Sequence, residues 1–167
     1  MLLRLRPIWP YIALLVSGAL LAGAHAFETF GGLAPCEMCL QQRERHWVIV
    51  GAAIIILVAG LFFAQRVRGY EAGAVVLLGL FYGWSLFTAA HHVAVEQHWM
   101  VATCDAVRDA SQIHTIDFSG TFTAPRCDTP QWYLFGITMA GYNAAISFAM
   151  MILSFAVALA KPEEAKA

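Results

Sequence analysis

The chain has 167 residues, 60% of them hydrophobic and only 13% charged, with a formal net charge of −1. Soluble domains carry about 25% charged residues, so a purely water-soluble domain is excluded. The charge balance also leaves no basic surface for a nucleic-acid partner.

Long apolar stretches run over residues 8–27, 47–64, 72–90 and 133–160. Each is near or above the ~20 residues that cross a hydrocarbon core, the second and third at the short end. The expected fold is therefore an all-α membrane protein. It is a single four-transmembrane-helix bundle over residues 1–167, with loops at 28–46 and 91–132. Arg4 and Arg6 before the first run, and Ala24-His25-Ala26 after it, also fit a cleavable signal peptide. That apolar run is longer than a usual signal core, which favours the four-helix reading.

After Gly31 and Gly32 comes Pro35-Cys36-Glu37-Met38-Cys39, which leads into the second apolar run. Proline is well placed at the first helical position, so the spacing predicts a helix with both thiols in its first turn. At ~100° per residue, Cys36, Cys39, Arg43 and His46 fall within roughly 80° of one another, and Arg45 points to the opposite, solvated face. A helix N-terminus and a nearby guanidinium both favour thiolate. His46 reads as a satisfied interfacial residue, and so do His92 and His98.

The third run contains Gly79 and Gly83 at GxxxG spacing. The fourth contains Gly136, Ala140, Gly141, Ala144 and Ala145. Small residues let helices approach closely in lipid, so these read as bundle contacts. In the long loop, Cys104 lies near the start and Cys127 near the end. Val107, Ala110, Ile113 and Ile116 between them allow a short amphipathic interfacial helix. Thr129 and Pro130 offer an N-cap and an N1 proline for the fourth helix, and Trp132 and Tyr133 offer interfacial anchors.

Six of the ten Lys and Arg residues (Arg4, Arg6, Arg66, Arg68, Lys161, Lys166) lie at the termini and in the short link. The longer loops hold the other four, Arg43, Arg45, Arg108 and Arg126. The positive-inside rule then puts both termini in the cytoplasm and all four cysteines on the outer face. In a bacterial inner membrane that face is the oxidising periplasm, where disulfides persist.

A Cys-x-x-Cys pair serves redox, zinc or haem chemistry. Haem attachment wants a His directly after the second Cys, where Leu40 stands. A zinc ribbon wants a second close pair, whereas Cys104 and Cys127 are far apart. A disulfide three residues long closes too small a loop to stabilise much, which argues against a purely structural bridge. Two cysteine pairs on one face suggest instead an exchange relay that ends at a non-thiol electron acceptor. A lipid-soluble quinone suits a dithiol at the mouth of a membrane helix, and the chain has no dinucleotide-binding glycine fingerprint. No metal is expected.

Pro-Cys-x-x-Cys with Arg43 four residues on, Ala102-Thr103-Cys104-Asp105, the later Cys127 and Pro130-Gln131-Trp132 together resemble the DsbB family of bacterial disulfide bond formation proteins. The likeness runs over nearly the whole chain. It implies a thiol:quinone oxidoreductase that reoxidises a periplasmic DsbA-like thioredoxin-fold protein and passes two electrons to ubiquinone or menaquinone. It also implies that Cys104 forms the mixed disulfide with that partner and pairs with Cys127 in the loop. Cys36 exchanges with the loop pair, Cys39 faces the quinone as a thiolate, and Arg43 stabilises that charge. His91 matches a family histidine near the quinone.

The chain departs from the family at Glu37-Met38, where apolar filling is usual, and at Gln41-Gln42, where an aromatic-acidic pair is usual. His46 is an addition on the reactive face. A specialised paralogue serving one dedicated partner is the nearest alternative, and a membrane metal- or haem-binding protein is a more distant one. A vitamin K epoxide reductase-like enzyme carries its cysteine pairs in the reverse order.

Overall fold

The computed structural model describes residues 2–63, 69–101 and 125–160. A short 3-10 turn, Leu2–Leu5, precedes helix α1, Trp9–Thr29. Then come α2, Glu37–Phe63, and α3, Tyr70–Glu96. Two short strands, β1 (Tyr133–Leu134) and β2 (Ile137–Thr138), lead into α4, Met139–Leu159. All four helices are long and apolar enough to cross a membrane. Large apolar side chains such as Leu15, Ile55, Leu61 and Phe87 point outward. In lipid this outer surface needs no cover, and each helix satisfies its own backbone. The fold is a four-helix membrane bundle.

Close backbone approach holds α3 against α4. A Cβ on Gly79 would come within 3.0 Å of Ser154 Cβ, and one on Gly83 within 3.3 Å of the Met151 sulfur. The GxxxG pair is thus a contact surface, as small-residue packing in membranes requires. Polar pins cross the bundle. Trp9 Nε1 donates to Ser154 Oγ at 2.9 Å, and Tyr70 OH donates to the Ile56 carbonyl at 2.6 Å. Arg6 donates to the carbonyls of Val157, Ala158 and Ala160 at 2.7–3.1 Å. A cation there meets the unpaired carbonyls and the negative end of the α4 dipole.

Two elements differ from the sequence reading. α3 continues through His91 and His92 to Glu96, because one face of those last turns is buried: His92 and Val95 are 3% and 0% exposed. Residues 133–138 form an antiparallel hairpin, with Tyr133 paired to Thr138 and Leu134 to Ile137. Its two turn residues, Phe135 and Gly136, have φ of 51° and 78°. Two successive left-handed residues are what a tight two-residue hairpin demands. Gly136 therefore serves the turn and not the bundle. The cap of α4 is Thr138, whose hydroxyl accepts from Gly141 N–H at 3.0 Å, and Thr129-Pro130 lies well upstream of it. The segment expected to hold an interfacial helix lies outside the described residues.

Candidate active site

The chain turns at Gly32 (φ 65°) and runs without regular structure up to Cys36 before α2 begins at Glu37. Cys36 itself caps the helix. Its sulfur accepts from Cys39 N–H at 3.2 Å, and its carbonyl accepts from Leu40 N–H at 3.1 Å. Pro35 therefore stands just before the cap and not at N1. Both thiols sit where orphan helix N–H groups and the positive end of the dipole converge.

Cys36 and Cys39 are free thiols, whereas Cys127 is disulfide-bonded. Cys36 and Cys127 are 3% and 2% exposed and pack in one small cluster with Met38, Val95 and the half-buried Cys39. A dithiol and a disulfide sulfur thus share one buried patch. Cys104, the expected loop partner, lies outside the described residues. The Cys36 thiol is pushed well above the ordinary thiol range, first by its hydrogen bond with Cys39 and then by burial. Of the two thiols, Cys36 is therefore the one that holds its proton more tightly.

Arg43 projects from the next turn. Its side chain is 13% exposed, and its guanidinium pairs with Glu28 and donates to the Ala24 carbonyl at 3.1 Å. Those contacts use two of five N–H donors and tie the guanidinium to α1. Arg45 is not solvated as the helical wheel suggested. Its guanidinium lies 3.9 Å from the centre of the Trp84 ring, a cation–π contact that joins α2 to α3.

His92 stands on the other side of Cys36. Its Nε2 is 3.7 Å from Cys36 Sγ, 3.2 Å from the Cys127 carbonyl and 3.7 Å from Glu96 Oε1. Its Nδ1 is 2.6 Å from the Gln42 amide nitrogen. Glu96, with a side chain 4% exposed, also accepts from Thr138 Oγ1 at 2.7 Å. Beside Cys127, Arg126 grips Asp128 with two hydrogen bonds of 2.9 and 2.6 Å, which holds that carboxyl well below the usual range.

These groups surround one cavity of about 290 Å³. Its walls are mainly apolar, from Leu20, Leu21, Phe27, Leu33, Leu134 and Met139, and its polar groups are few and convergent. Mostly apolar walls with a few directed polar groups characterise small-ligand sites. The Cys36 and Cys39 sulfurs and a His92 ring nitrogen also lie within 4.8 Å of one another, a donor set that could hold a soft metal ion.

Cys36, Cys39, Arg43 and Cys127 all line the cavity. His91 does not. It is half-buried, and its neighbour His92 takes the position inside. Gln42, His46, Glu96 and Asn143 also line the cavity, and the sequence reading gave none of them a role. Two signals were available for these. Gln42 and His46 lie on the helical face that carries Cys39. In lipid, any polar residue inside a span is a functional signal.

Fold and site together define a multi-pass membrane protein whose cysteines converge on one apolar cavity. The family described as "Disulfide bond formation protein DsbB" matches residues 6–157, and the chain belongs to it. A curated relative, "Disulfide bond formation protein B 2" of Pseudomonas entomophila (strain L48), is 27% identical over 161 residues. That likeness covers 87% of this chain and 88% of the relative. No solved structure matches the chain. This is a disulfide bond formation protein of the membrane, with the oxidoreductase character of its family.

Proposed function

We propose that the protein oxidises a periplasmic DsbA-like thioredoxin-fold donor by disulfide exchange and passes the two electrons to membrane quinone, ubiquinone or menaquinone. The observation that carries this reading is the juxtaposition of a free dithiol, a disulfide-bonded Cys127 and an apolar cavity at the end of one bundle. Both termini are then cytoplasmic and the cysteine loops periplasmic, within one four-helix domain.

The donor dithiolate attacks the loop disulfide at Cys104, and Cys127 leaves as thiolate. Cys127, already packed beside Cys36, next attacks Cys36 of the oxidised Cys36–Cys39 disulfide, and Cys39 leaves as thiolate. The donor's second thiolate displaces Cys104 from the mixed disulfide, and Cys104 displaces Cys36 from Cys127, which restores the loop disulfide and leaves Cys36 and Cys39 as the dithiol. That is the form described above, with Cys36 and Cys39 free while Cys127 remains bonded.

The apolar walls and the Arg43 guanidinium fit a quinone head group, which supplies a two-electron, two-proton acceptor when bound. Cys39 and Arg43 would hold it, with the buried His92 in place of the expected His91. Re-forming the Cys36–Cys39 bond releases two electrons and the protons carried by the two thiols. Arg43 offsets negative charge that develops on the cavity side of Cys39. His92 Nε2 lies 3.7 Å from the Cys36 sulfur.

The test is to mix purified, dithiol-form protein with a water-soluble quinone and count cysteines by mass. One Cys36–Cys39 disulfide per quinol formed supports the reading. Quinone that remains oxidised while the dithiol persists contradicts it.

A further inference from the structure

The deepest feature of the bundle is a line of buried polar side chains running inward from His92. The Asn143 amide nitrogen is 2.6 Å from Gln42 Oε1, and His46 Nε2 is 2.8 Å from Asn143 Oδ1. His46 Nδ1 is 3.2 Å from Ser17 Oγ, which is 2.9 Å from Tyr82 OH. Gln42, His46 and Asn143 are 7%, 3% and 9% exposed. Placing such groups in a membrane interior is costly, and a role is the default expectation.

The direction of these hydrogen bonds is set at one end. The Cys127 carbonyl can only accept, so His92 Nε2 must carry hydrogen. A neutral His92 then has an accepting Nδ1, which needs an N–H from Gln42. The Gln42 oxygen next accepts from the Asn143 amide, whose own oxygen accepts from His46 Nε2–H. His46 Nδ1 is left to accept from the Ser17 hydroxyl. Every donor points the same way, and reversing one member requires reversing all of them.

We infer that Gln42, Asn143 and His46 are positioning residues that hold His92 as the Nε2–H tautomer, so that it donates to the Cys127 carbonyl and keeps that segment docked beside Cys36. In the opposite tautomer a ring lone pair would face the carbonyl at 3.2 Å, and the segment would lose that hydrogen bond, keeping the one from Gln131 to the Ala34 carbonyl. The chain thus sets how readily the loop disulfide meets the dithiol. This use rests on the exchange reading above, but the tautomer itself does not.

The experiment is nitrogen NMR of [15N]histidine-labelled full-length protein in lipid nanodiscs, in dithiol form and without quinone. The His92 signals are assigned by their loss in His92→Asn. The wild type is expected to show protonated Nε2 and bare Nδ1 at His92. Asn143→Asp keeps the size but removes the donor to Gln42, so Gln42 turns over and His92 inverts to Nδ1–H. Gln42→Glu, an acceptor only at that point, gives the same inversion and serves if the first variant does not fold. His46→Gln keeps a donor toward Asn143 and leaves the His92 tautomer unchanged.

In the inverted variants, exchange between dithiol and loop disulfide in quinone-free protein should slow about tenfold, the scale of one lost hydrogen bond. A wild-type His92 protonated at Nδ1, or no inversion in either folded acidic variant, overturns the proposal. Inversion with unchanged exchange overturns the docking role alone. Normal tautomers in a protein that cannot reduce quinone would instead count against the proposed function.

Discussion

At the scale of single residues, the two thiols of the Cys-x-x-Cys pair are unequal. Cys36 is buried and caps α2, and its thiol is raised by the hydrogen bond with Cys39 and by burial, whereas Cys39 lies half-buried at the cavity wall. Alkylation of the dithiol form at pH 8 should therefore favour Cys39 over Cys36 by about tenfold, read by peptide mass mapping. Equal labelling would contradict the assignment. The raised Cys36 thiol also gives a sign for pH. Its contribution to folded stability is fully present below the ordinary thiol pKa of about 8.5 and is lost as pH rises further. Thermal melts of the dithiol form should fall above that pH, and Cys36→Ser should remove that component. Arg43 offers a complementary test. Arg43→Ala should raise the quinone KM about tenfold while exchange with the donor changes little, because its proposed work is electrostatic. Equal losses in both steps would show that it merely holds α1 to α2 through Glu28.

At the scale of elements, the two ends of α4 are fixed differently. Its start is set by the Thr138 hydroxyl, which serves as cap and also donates to Glu96. Its end is gripped by Arg6. Thr138→Ala should cost about 1 kcal/mol of stability through the cap, measured by denaturant unfolding in detergent. An unchanged midpoint would mean that the cap contributes nothing. The α3–α4 contact is tighter still. A methyl group at Gly79 meets Ser154 at 3.0 Å, so Gly79→Ala should destabilise by about 1–3 kcal/mol, the usual cost of overpacking. Gly18, with nothing within 4 Å of an added Cβ, should tolerate Ala and serves as the control.

At the scale of the whole molecule, the membrane bundle was legible because hydropathy is nearly binary in lipid. Runs of apolar residues broken by charge leave few alternatives. The face of α2 that lines the cavity was legible for a similar reason, since Cys36, Cys39 and Arg43 recur at helical spacing. The rest depended on contacts between helices. Nothing local distinguishes His91 from His92, and the choice follows from which face of α3 meets α2. The fourth span looked continuous through residues 133–138 because a two-residue hairpin of apolar residues has no hydropathy signature. His46 looked ordinary until Asn143, nearly a hundred positions away, came within hydrogen-bond distance of it.

The orientation proposal is also a property of the whole. A membrane-impermeant thiol reagent should label an engineered Cys at Phe30 in intact spheroplasts, and one at Ile8 only after lysis. The reverse pattern would invert the proposed topology.

The central claim is that electrons pass through two cysteine pairs in series to quinone. Its most direct test is steady-state quinone reduction by purified protein given a reduced DsbA-like donor. Cys36→Ser, Cys39→Ser, Cys104→Ser and Cys127→Ser are assayed one at a time. The wild type should turn over, and each of the four variants should lose turnover. Full turnover in any one of them would contradict the relay.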